Sequence, residues 1–518
     1  MIAAVIRSLP QSMRQLQLTL RTLFFIIFCM TLFFAIFIRD PDFFFHVKAG
    51  QDILLNKAIP ATDPYSFTHA GGIWHAHEWL FEIIIYLIFH TLGYFGVKAF
   101  VALIGLAALF ISAAALSKRH NADLPVIAVM AMLLAPFLTP RPQLFTFLFF
   151  AIYLFALLRY KYRRESYHLW GLAPLMVLWV NVHGGYLLGI AIIATFIVTE
   201  WLGALLAQTP TEQRLRLRPL IITLLSVITA SLINPWGIHH WLFPFQLMNT
   251  SAVAAISEWQ PIDFSSFYAR GYLAAIALLL MVYLYTPRRP DITEVAIPWG
   301  MITASFIAVR HMPLAYLTIT PFLIHKLTEW VTSTSFTNHL WVTRLRNRLS
   351  QGNDLGSKEV ILNWIILLVV TLLFTASYPL HHANDEAKLN ELVPAKATDF
   401  IVASHLTGRM FNTYHYGGYL IFRLAPLQQV FIDIRGDMYG GGVMDDYIAA
   451  YQARPGWQTI LDRYAIDYIV CESKAPLLEA ATASGLFAPV YRDRESTVLV
   501  RTGGRYQPLI SAYRPTPY

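Results

Sequence analysis

Two aspartates separated by one residue, Asp40 and Asp42, follow the first long apolar run of the chain. A carboxylate at such a position can deprotonate an acceptor hydroxyl or bind a divalent cation. Glu78, at the far end of the same polar segment, offers another carboxylate. We therefore predict that Asp40, Asp42 and Glu78 form the catalytic group.

The same segment contains side chains of the types that bind metal ions. His46 and His77 accompany Asp42 and Glu78, but their spacing matches no closed zinc signature. A divalent cation held by these four residues therefore stays as an alternative. No other cofactor is predicted.

Arginine appears near the same predicted membrane boundary, in the motifs RPQ and RHMP. Arg141 and Arg310 carry the planar donor fork that suits phosphate. Carboxylates next to arginines at a lipid boundary suggest transfer from a lipid-linked phosphate donor. The sequence offers no P-loop, GxSxG or GxGxxG motif to support another chemistry.

Further polar residues fall on the same side of the predicted topology. Because ionisable groups near lipid are costly and tend to line cavities, we expect these loops to converge on one site. The predicted donor-phosphate and substrate-binding residues are Arg141, Arg310, His46, His77, His183, Asn181, Glu258 and Arg435. The alternative is that they are interfacial anchors and helix caps.

The composition is that of a membrane protein. Of the 518 residues, 56% are hydrophobic and only 14% are charged, and the mean hydropathy is +0.50, whereas a soluble protein carries about 25% charged residues. The net charge of +8 would suggest nucleic acid binding in a soluble chain. Here Lys and Arg cluster in alternate loops, which is the positive-inside pattern, and no nucleic acid partner is predicted.

Apolar runs long enough to cross a bilayer predict about eleven transmembrane helices within residues 1–380. Arg7, Arg14 and Arg21 precede the first run, so the N-terminus is predicted to be cytoplasmic and residues 39–78 form the first external loop. A short surface helix, Glu82 to His90, is predicted before the second span, Tyr94 to Leu116. The eleventh span exports everything that follows it.

Residues 381–518 have the composition of a soluble domain outside the cytoplasm, and alternating patterns predict a small α/β fold. Strands are predicted at Gln429 to Ile434 and Ala465 to Cys471, and a hairpin at Pro489 to Arg501. Asp433 and Arg435 would then lie at the end of a buried strand, where ligands tend to bind. The alternative is a helix cap at Asp433 and a structural ion pair at Arg435.

The motifs taken together resemble a known superfamily. An acidic motif after the first helix (DPDFFFH), a long first external loop, many spans and an external C-terminal α/β domain are similar to the GT-C glycosyltransferases. The order of DPDFFFHVKAG, DPYSFT, HAHEWLFE, RPQLFT, WVNVHGG, NPWG, YHYGGYLIF and VFIDIRGDMYG also resembles a group of bacterial membrane proteins. This resemblance covers nearly the whole chain.

The resemblance implies transfer of a sugar from a polyprenyl-phosphate or polyprenyl-diphosphate donor to a protein or glycan acceptor, at a bacterial plasma membrane. The superfamily's catalytic acid corresponds to Asp40 or Asp42, and the choice between them stays open. The WWD-type signature of oligosaccharyltransferases is absent, since Gly456-Trp457-Gln458 does not match it. That absence favours a monosaccharide transferase over N-glycan transfer.

Two other classes of function remain as alternatives. A transporter or flippase for a lipid-linked glycan would need polar residues at mid-bilayer depth on both sides of a pathway. A non-enzymatic envelope assembly subunit would leave Asp40, Asp42, Glu78 and Arg141 without a purpose.

Overall fold

A computed structural model of the chain describes residues 20–35, 40–117, 123–207, 210–248, 257–332 and 357–513. Of the three N-terminal arginines used to predict the orientation, Arg7 and Arg14 lie outside the described residues. The helical part contains α1 (Leu20–Ala35), α2 (Asp42–Asn56), α3 (Trp79–Ala114), α4 (Asp123–Leu134), α5 (Gln143–Arg163), α6 (Leu172–Val180), α7 (Leu187–Ala207), α8 (Pro210–Ala230), α9 (His239–Met248), α10 (Phe267–Tyr285), α11 (Ile292–Ile307), α12 (Met312–Thr332) and α13 (Ser357–Asn390).

Several of these helices can cross a membrane. Within the described residues, five stretches are long and apolar enough, namely Trp79–Ala114, Gln143–Arg163, Gly184–Leu206, Phe267–Tyr285 and Leu362–Leu380. Four more apolar helices are shorter, at Asp123–Phe137, Ser166–Val180, Leu217–Ala230 and Ile292–Ile307. The protein is therefore a multi-pass helical membrane protein, and the number eleven stays a prediction.

The predicted surface helix and second span form one element, α3. The chain bends between them at Gly93, whose backbone is not helical (φ 60°, ψ −154°). Glycine reaches this conformation without the steric penalty of a Cβ. The break therefore falls between the two predicted segments, Glu82 to His90 and Tyr94 to Leu116.

The first external segment crosses α3 at very close range. A Cβ placed on Gly50 of α2 would lie 1.9 Å from the carbonyl oxygen of Glu82. Only glycine permits that approach, which fixes the angle at which α2 packs on α3. Phe43 buries its ring at this contact, against Phe89 of α3 (5.3 Å between ring centroids), and the neighbouring Asp42 is thereby held against the ends of the spans.

The C-terminal part is a small mixed sheet with helices, as predicted in outline. Its elements are α14 (Ala395–Ala403), β1 (Met410–Asn412), α15 (Gly417–Leu424), α16 (Gly436–Tyr451), α17 (Trp457–Arg463), β2 (Tyr468–Glu472), α18 (Pro476–Ala483), β3 (Phe487–Arg492), β4 (Ser496–Arg501) and α19 (Gln507–Ala512). The strand order is β1-β2-β4-β3. β1 pairs with β2 in parallel, and the pairs β2–β4 and β3–β4 are antiparallel.

The predicted strand at Gln429 to Ile434 is wrong. The segment is buried, but it joins no sheet and makes only an isolated bridge between Val430 and Ser66. The side chain of Asn412 replaces a strand partner, because its Oδ1 accepts from the amide of Phe431 (2.8 Å) and its Nδ2 donates to the carbonyl of Ile432 (2.8 Å). Burial alone gave this segment the apolar pattern of a strand.

One hydrophobic core joins the first external segment to the C-terminal part. Phe45 and Trp74 belong to the same buried cluster as Tyr416 and Leu420. The double glycine of α15 permits the contact, since a Cβ on Gly418 would lie 3.0 Å from the carbonyl oxygen of Pro41. The loop that carries the acidic motif is therefore held in place from both sides.

Candidate active site

Arg141 collects three carboxylates at the start of α5. Its Nε and Nη2 donate to the two oxygens of Asp40 (Nη2 to Oδ1, 2.9 Å), and Nη2 also lies 2.7 Å from Oδ2 of Asp42. Its Nη1 lies 2.7 Å from Oε1 of Glu258. The arginine that was predicted to meet a phosphate is therefore already surrounded by negative charge.

The two aspartates differ in what else holds them. Asp40 is 4% exposed, takes the two-point contact with Arg141, and accepts from the backbone amide of Asp42 (3.1 Å). Asp42 makes its contact with Arg141 at one oxygen and lines the cavity described below. Burial raises the pKa of Asp42 to about 7; Arg141 lowers it, and the charges of Asp40, Glu258 and Glu78 raise it. Asp42 therefore exchanges a proton near neutral pH.

The surroundings of Arg310 differ from those of Arg141. Its guanidinium lies over the ring of Trp259, 4.2 Å from the centroid. Among the described residues it has no hydrogen bond or ion pair, and burial lowers its pKa. Because the charge is poorly solvated and its donors are unused, the site favours an added anion here.

The orientation of the His183 ring follows from its neighbours. Thr146 Oγ1 accepts from Trp179 Nε1 (2.9 Å) and lies 2.7 Å from His183 Nδ1, which also accepts from the amide of Gly185 (3.1 Å). Nδ1 is thus an acceptor, so Nε2 carries the proton and faces Oε1 of Glu78 at 4.0 Å. Burial lowers the pKa of His183 well below its usual value, which keeps the ring neutral.

Glu82 and His46 form a buried pair at the edge of the cavity. The Nδ1 of His46 lies 3.7 Å from Oε1 of Glu82, and the two side chains are 5% and 2% exposed. His46 Nδ1 and Glu82 Oε2 have no hydrogen-bond partner in the described structure. Sequence reasoning missed Glu82 as a site residue; it stands in the first turn of α3, four residues after Glu78.

Arg435 is held in a cage that both parts of the protein build. Its guanidinium lies 5.1 Å from the ring centroid of Phe45 and 4.7 Å from that of Trp74. Its Nη2 pairs with Asp433 (2.6 Å) and with Asp63 (2.8 Å). The structural ion pair, one of the two alternatives for Arg435, is thus present, while Nη1 is buried without a partner and the residue also lines the cavity.

These groups enclose one polar cavity of about 190 Å³. It is lined by Asp42, Phe45, His46, Trp74, His75, Ala76, His77, Glu78, Glu82, Arg141, Pro142, Gln143, His183, Arg310, Ile434 and Arg435. In the part of the chain that the structure describes, no three His, Cys, Asp or Glu side chains come close enough to hold a metal ion. The arrangement gives no support to the predicted cation at Asp42, His46, His77 and Glu78.

Two predicted substrate-binding residues stand behind the cavity wall. Glu258 is not part of the cavity lining, and it contacts Arg141, which is (2.7 Å). Asn181 accepts from Trp79 Nε1 (3.0 Å) and donates to the carbonyls of Val177 and Ile233 (both 2.8 Å). The Asn181 side chain therefore makes its hydrogen bonds within the protein itself. The geometry gives Asn181 the role of joining the turn after α6 to the start of α3.

Comparison with known proteins defines the fold. No protein-family model and no curated protein sequence matches the chain. Among solved structures, ArnT from Cupriavidus metallidurans in the apo state aligns with a TM-score of 0.52 at 12% identity, over 96% of this chain and 99% of ArnT. The oligosaccharyltransferase of Archaeoglobus fulgidus, tethered to an acceptor peptide containing the NVT sequon, aligns with a TM-score of 0.52 at 11% identity. The alignment covers 90% of this chain and 70% of the archaeal chain.

The apo form of the same archaeal enzyme gives a TM-score of 0.50 at 11% identity, over 84% of this chain and 66% of the archaeal chain. The chain therefore spans just under two thirds of that relative. At such low identity the similarity concerns the fold alone, and it agrees with the expectation drawn from the motifs. Over most of its length, the chain has the fold of the GT-C glycosyltransferases.

Proposed function

We propose that the protein is a membrane glycosyltransferase that moves a sugar from a polyprenyl-phosphate or polyprenyl-diphosphate donor to an acceptor outside the cytoplasm. One observation carries the proposal: Asp42 and Arg310 line the same cavity, in a chain with the GT-C fold. Asp42 can take a proton near neutral pH, and Arg310 is a cation that makes no ion pair among the described residues. A base for the attacking hydroxyl and a cation for the leaving phosphate each accelerate the displacement of a phosphate by a hydroxyl.

In the proposed reaction, the acceptor oxygen attacks the anomeric carbon of the donor sugar. The bond from that carbon to the phosphate oxygen breaks, and the phosphate leaves with the electron pair. The proton of the acceptor hydroxyl passes to a carboxylate. The new bond forms on the face opposite to the leaving phosphate, so the configuration at the anomeric carbon is inverted.

We assign the base to Asp42 rather than Asp40. Both carboxylate oxygens of Asp40 already accept hydrogen bonds from Arg141, so they are less available to take a proton from an acceptor hydroxyl. Asp42 faces the cavity, and its raised pKa suits a base that works near neutral pH. Asp40 then acts as a positioning residue that holds Arg141 and the first turn of α2.

We assign the leaving phosphate to Arg310, with Arg435 Nη1 as a further donor. Arg141 is less suited, because three carboxylates already neutralise it. Arg310 and Arg435 approach the cavity from the membrane part and the C-terminal part, respectively. A phosphate between them would meet donors whose positions are fixed before it arrives.

The test uses the purified full-length protein in lipid nanodiscs, with radiolabelled polyprenyl-phosphate and polyprenyl-diphosphate monosaccharides and a bacterial envelope extract as the acceptor source. The readout is the sugar transferred and the polyprenyl carrier released. We expect Asp42→Asn to lower the rate by about 100-fold or more, since general bases contribute 10²–10⁴-fold. The control is Asp263→Asn, which changes an aspartate hydrogen-bonded to Ser265 in an exposed turn.

A wild-type transfer rate in Asp42→Asn would overturn the assignment of the base, and wild-type rates in both Asp40→Asn and Asp42→Asn would overturn the mechanism. The two other classes of function predict different results. A flippase would move labelled donor across the bilayer of a liposome without releasing the carrier. An assembly subunit would do neither, and its deletion would leave surface glycans and glycoproteins unchanged in mass.

A further inference from the structure

A second concave site lies at the opposite end of the bundle from the cavity. It is a groove of about 490 Å³ between α3 and α5, lined by Phe110, Ile111, Ala114, Ile152, Phe155 and Ala156 and closed at one end by His168. Gln143 begins α5 next to the cavity, whereas Ile152, Phe155 and Ala156 line the groove further along the same helix. At about 1.5 Å per residue, these three residues lie roughly 14 to 20 Å from Gln143 along the helix axis.

The end of the groove next to His168 is rich in positive charge. Arg159 and Arg163 lie in the last two turns of α5, and Arg164 and the acidic Glu165 follow the helix. Arg159 and His168 both contact Glu165 (3.3 and 3.0 Å), so this carboxylate is already engaged. Arg163 and Arg164 are exposed, which leaves an excess of positive charge at the rim.

The arginines at the rim also have unused hydrogen-bond donors. A guanidinium offers five N–H donors. In the described structure Arg163 donates only to the carbonyl of Ser117 (2.7 Å). Arg159 donates to the carbonyl of Ala114 (3.2 Å) and pairs with Glu165, while its Nε is buried and has no partner. A ligand with anionic oxygens would satisfy donors that the protein leaves unmet.

The neighbouring aromatic residues indicate the depth of the groove in the membrane. Tyr167 and Trp170 are 64% and 78% exposed, just after the basic end of α5. Exposed Tyr and Trp next to a helix end are typical of the boundary between headgroups and acyl chains. The apolar wall of the groove then lies at acyl-chain depth, and the arginines lie at headgroup depth.

We propose that this groove binds one molecule of an anionic phospholipid, with an acyl chain along the apolar wall and the phosphate against Arg159 and Arg163. The charge at the rim selects an anionic headgroup over a zwitterionic one. Since the groove and the cavity lie at opposite ends of α5, the bound lipid is not the sugar donor. The proposal therefore stands or falls separately from the proposed function.

The test is native mass spectrometry of the full-length protein released from nanodiscs that contain equal amounts of phosphatidylglycerol and phosphatidylcholine. We expect one retained phosphatidylglycerol per chain in the wild type. Removing one charged contact in Arg163→Gln should weaken that retention about tenfold. The matched control is Arg270→Gln, because Arg270 is also exposed near a helix end and donates to the carbonyl of Ser265, but it lies far from the groove in sequence.

A second variant tests the apolar wall without relying on charge. Ala114 is exposed at the groove, so Ala114→Trp should fill it without overpacking the core, and retention of lipid should be lost while the thermal unfolding midpoint is kept. A phosphatidylglycerol with a photoreactive acyl chain should crosslink within residues 110–114 or 152–156. Equal retention of the two lipids, unchanged retention in Ala114→Trp, or displacement of the crosslink by polyprenyl phosphate at equal concentration would each overturn the proposal.

Discussion

The guanidinium of Arg310 stacks on the indole of Trp259, 4.2 Å from the ring centroid, and faces the cavity without a carboxylate partner among the described residues. Arg141, which lines the same cavity, is bound to three. Two arginines in one site thus have opposite electrostatic environments. One contributes mainly to holding the site together, and the other is open to a ligand.

This difference predicts opposite outcomes for the same substitution. Arg310→Gln should weaken donor binding by roughly 10- to 150-fold, as expected for one charged hydrogen bond, and leave the thermal unfolding midpoint nearly unchanged. Arg141→Gln should destabilise the protein by about 3–5 kcal/mol, because it leaves carboxylates buried without a counter-charge. Donor binding and thermal unfolding of the two purified variants separate these effects. A large loss of stability in Arg310→Gln would contradict the assignment.

The raised pKa of Asp42 predicts a dependence on pH in both activity and stability. If Asp42 must be ionised to act, the transfer rate should rise with pH and level off above about 7. Since the folded-state pKa lies above the ordinary value of 3.8, folding favours the protonated form. Its contribution to stability is then complete below about pH 4 and is lost as the pH rises through about 7.

The Asp42→Asn variant checks both parts of that prediction. It should remove the rise in residual rate near pH 7, and it should make the unfolding midpoint depend less on pH between 5 and 8. The groups that face Asp42, namely Arg141, Asp40, Glu258 and Glu78, are all unchanged in the variant. An unaltered pH profile would assign the titration to another of these groups.

Arg435→Gln should detach the C-terminal part from the first external segment. The substitution removes the partner of Asp63 and Asp433 and the cation between Phe45, Tyr65 and Trp74. We expect faster cleavage by limited proteolysis near residues 60–75 and a loss of several kcal/mol, about 3–5, in stability. Arg423→Gln is the control, since that arginine pairs with the exposed Asp399 (2.8 Å). Equal rates of proteolysis in the two variants would contradict the proposed role of Arg435 in joining the two parts.

Glu82→Gln should separate stability from function. Glu82 Oε2 is buried without a hydrogen-bond partner, so the neutral amide should keep or raise the unfolding midpoint. If Glu82 and His46 contact substrate, the transfer rate should fall about tenfold or more. The exposed Glu479→Gln serves as the control, and a fully active Glu82→Gln variant would limit Glu82 to a structural role.

Local sequence patterns correctly predicted those parts of the structure that depend on residues close together in the sequence. Apolar runs and basic loops indicated a multi-pass helical membrane protein, and the hairpin of β3 and β4 followed from its alternation. The segment at Gln429 to Ile434 was misread because its backbone partners, Asn412 and Tyr65, lie far away in sequence. Hydrogen bonds to such distant partners leave no periodic pattern of apolar residues in the sequence.

The candidate site, too, could be predicted from the sequence only in part. The types of residue were evident from the sequence, and the loops do meet in one cavity. The contact between Asp40 and Arg141 joins residues 101 positions apart. The stacking of Arg310 on Trp259 joins residues about fifty positions apart, and neither contact leaves a local pattern in the sequence. Glu82 escaped attention because a single acid in an apolar helix gives no pattern of its own.

The shared core of the first external segment and the C-terminal part has a consequence for biogenesis. Phe45 is synthesised hundreds of residues before its partner Leu420, a delay of roughly 20 to 75 s at about 5–20 residues per second. During that interval the acidic loop has emerged while its apolar face is uncovered. A chaperone on that side of the membrane would bind this chain most readily during that interval. A chain that terminates after the spans but before Leu420 would contain all of its spans and no assembled site.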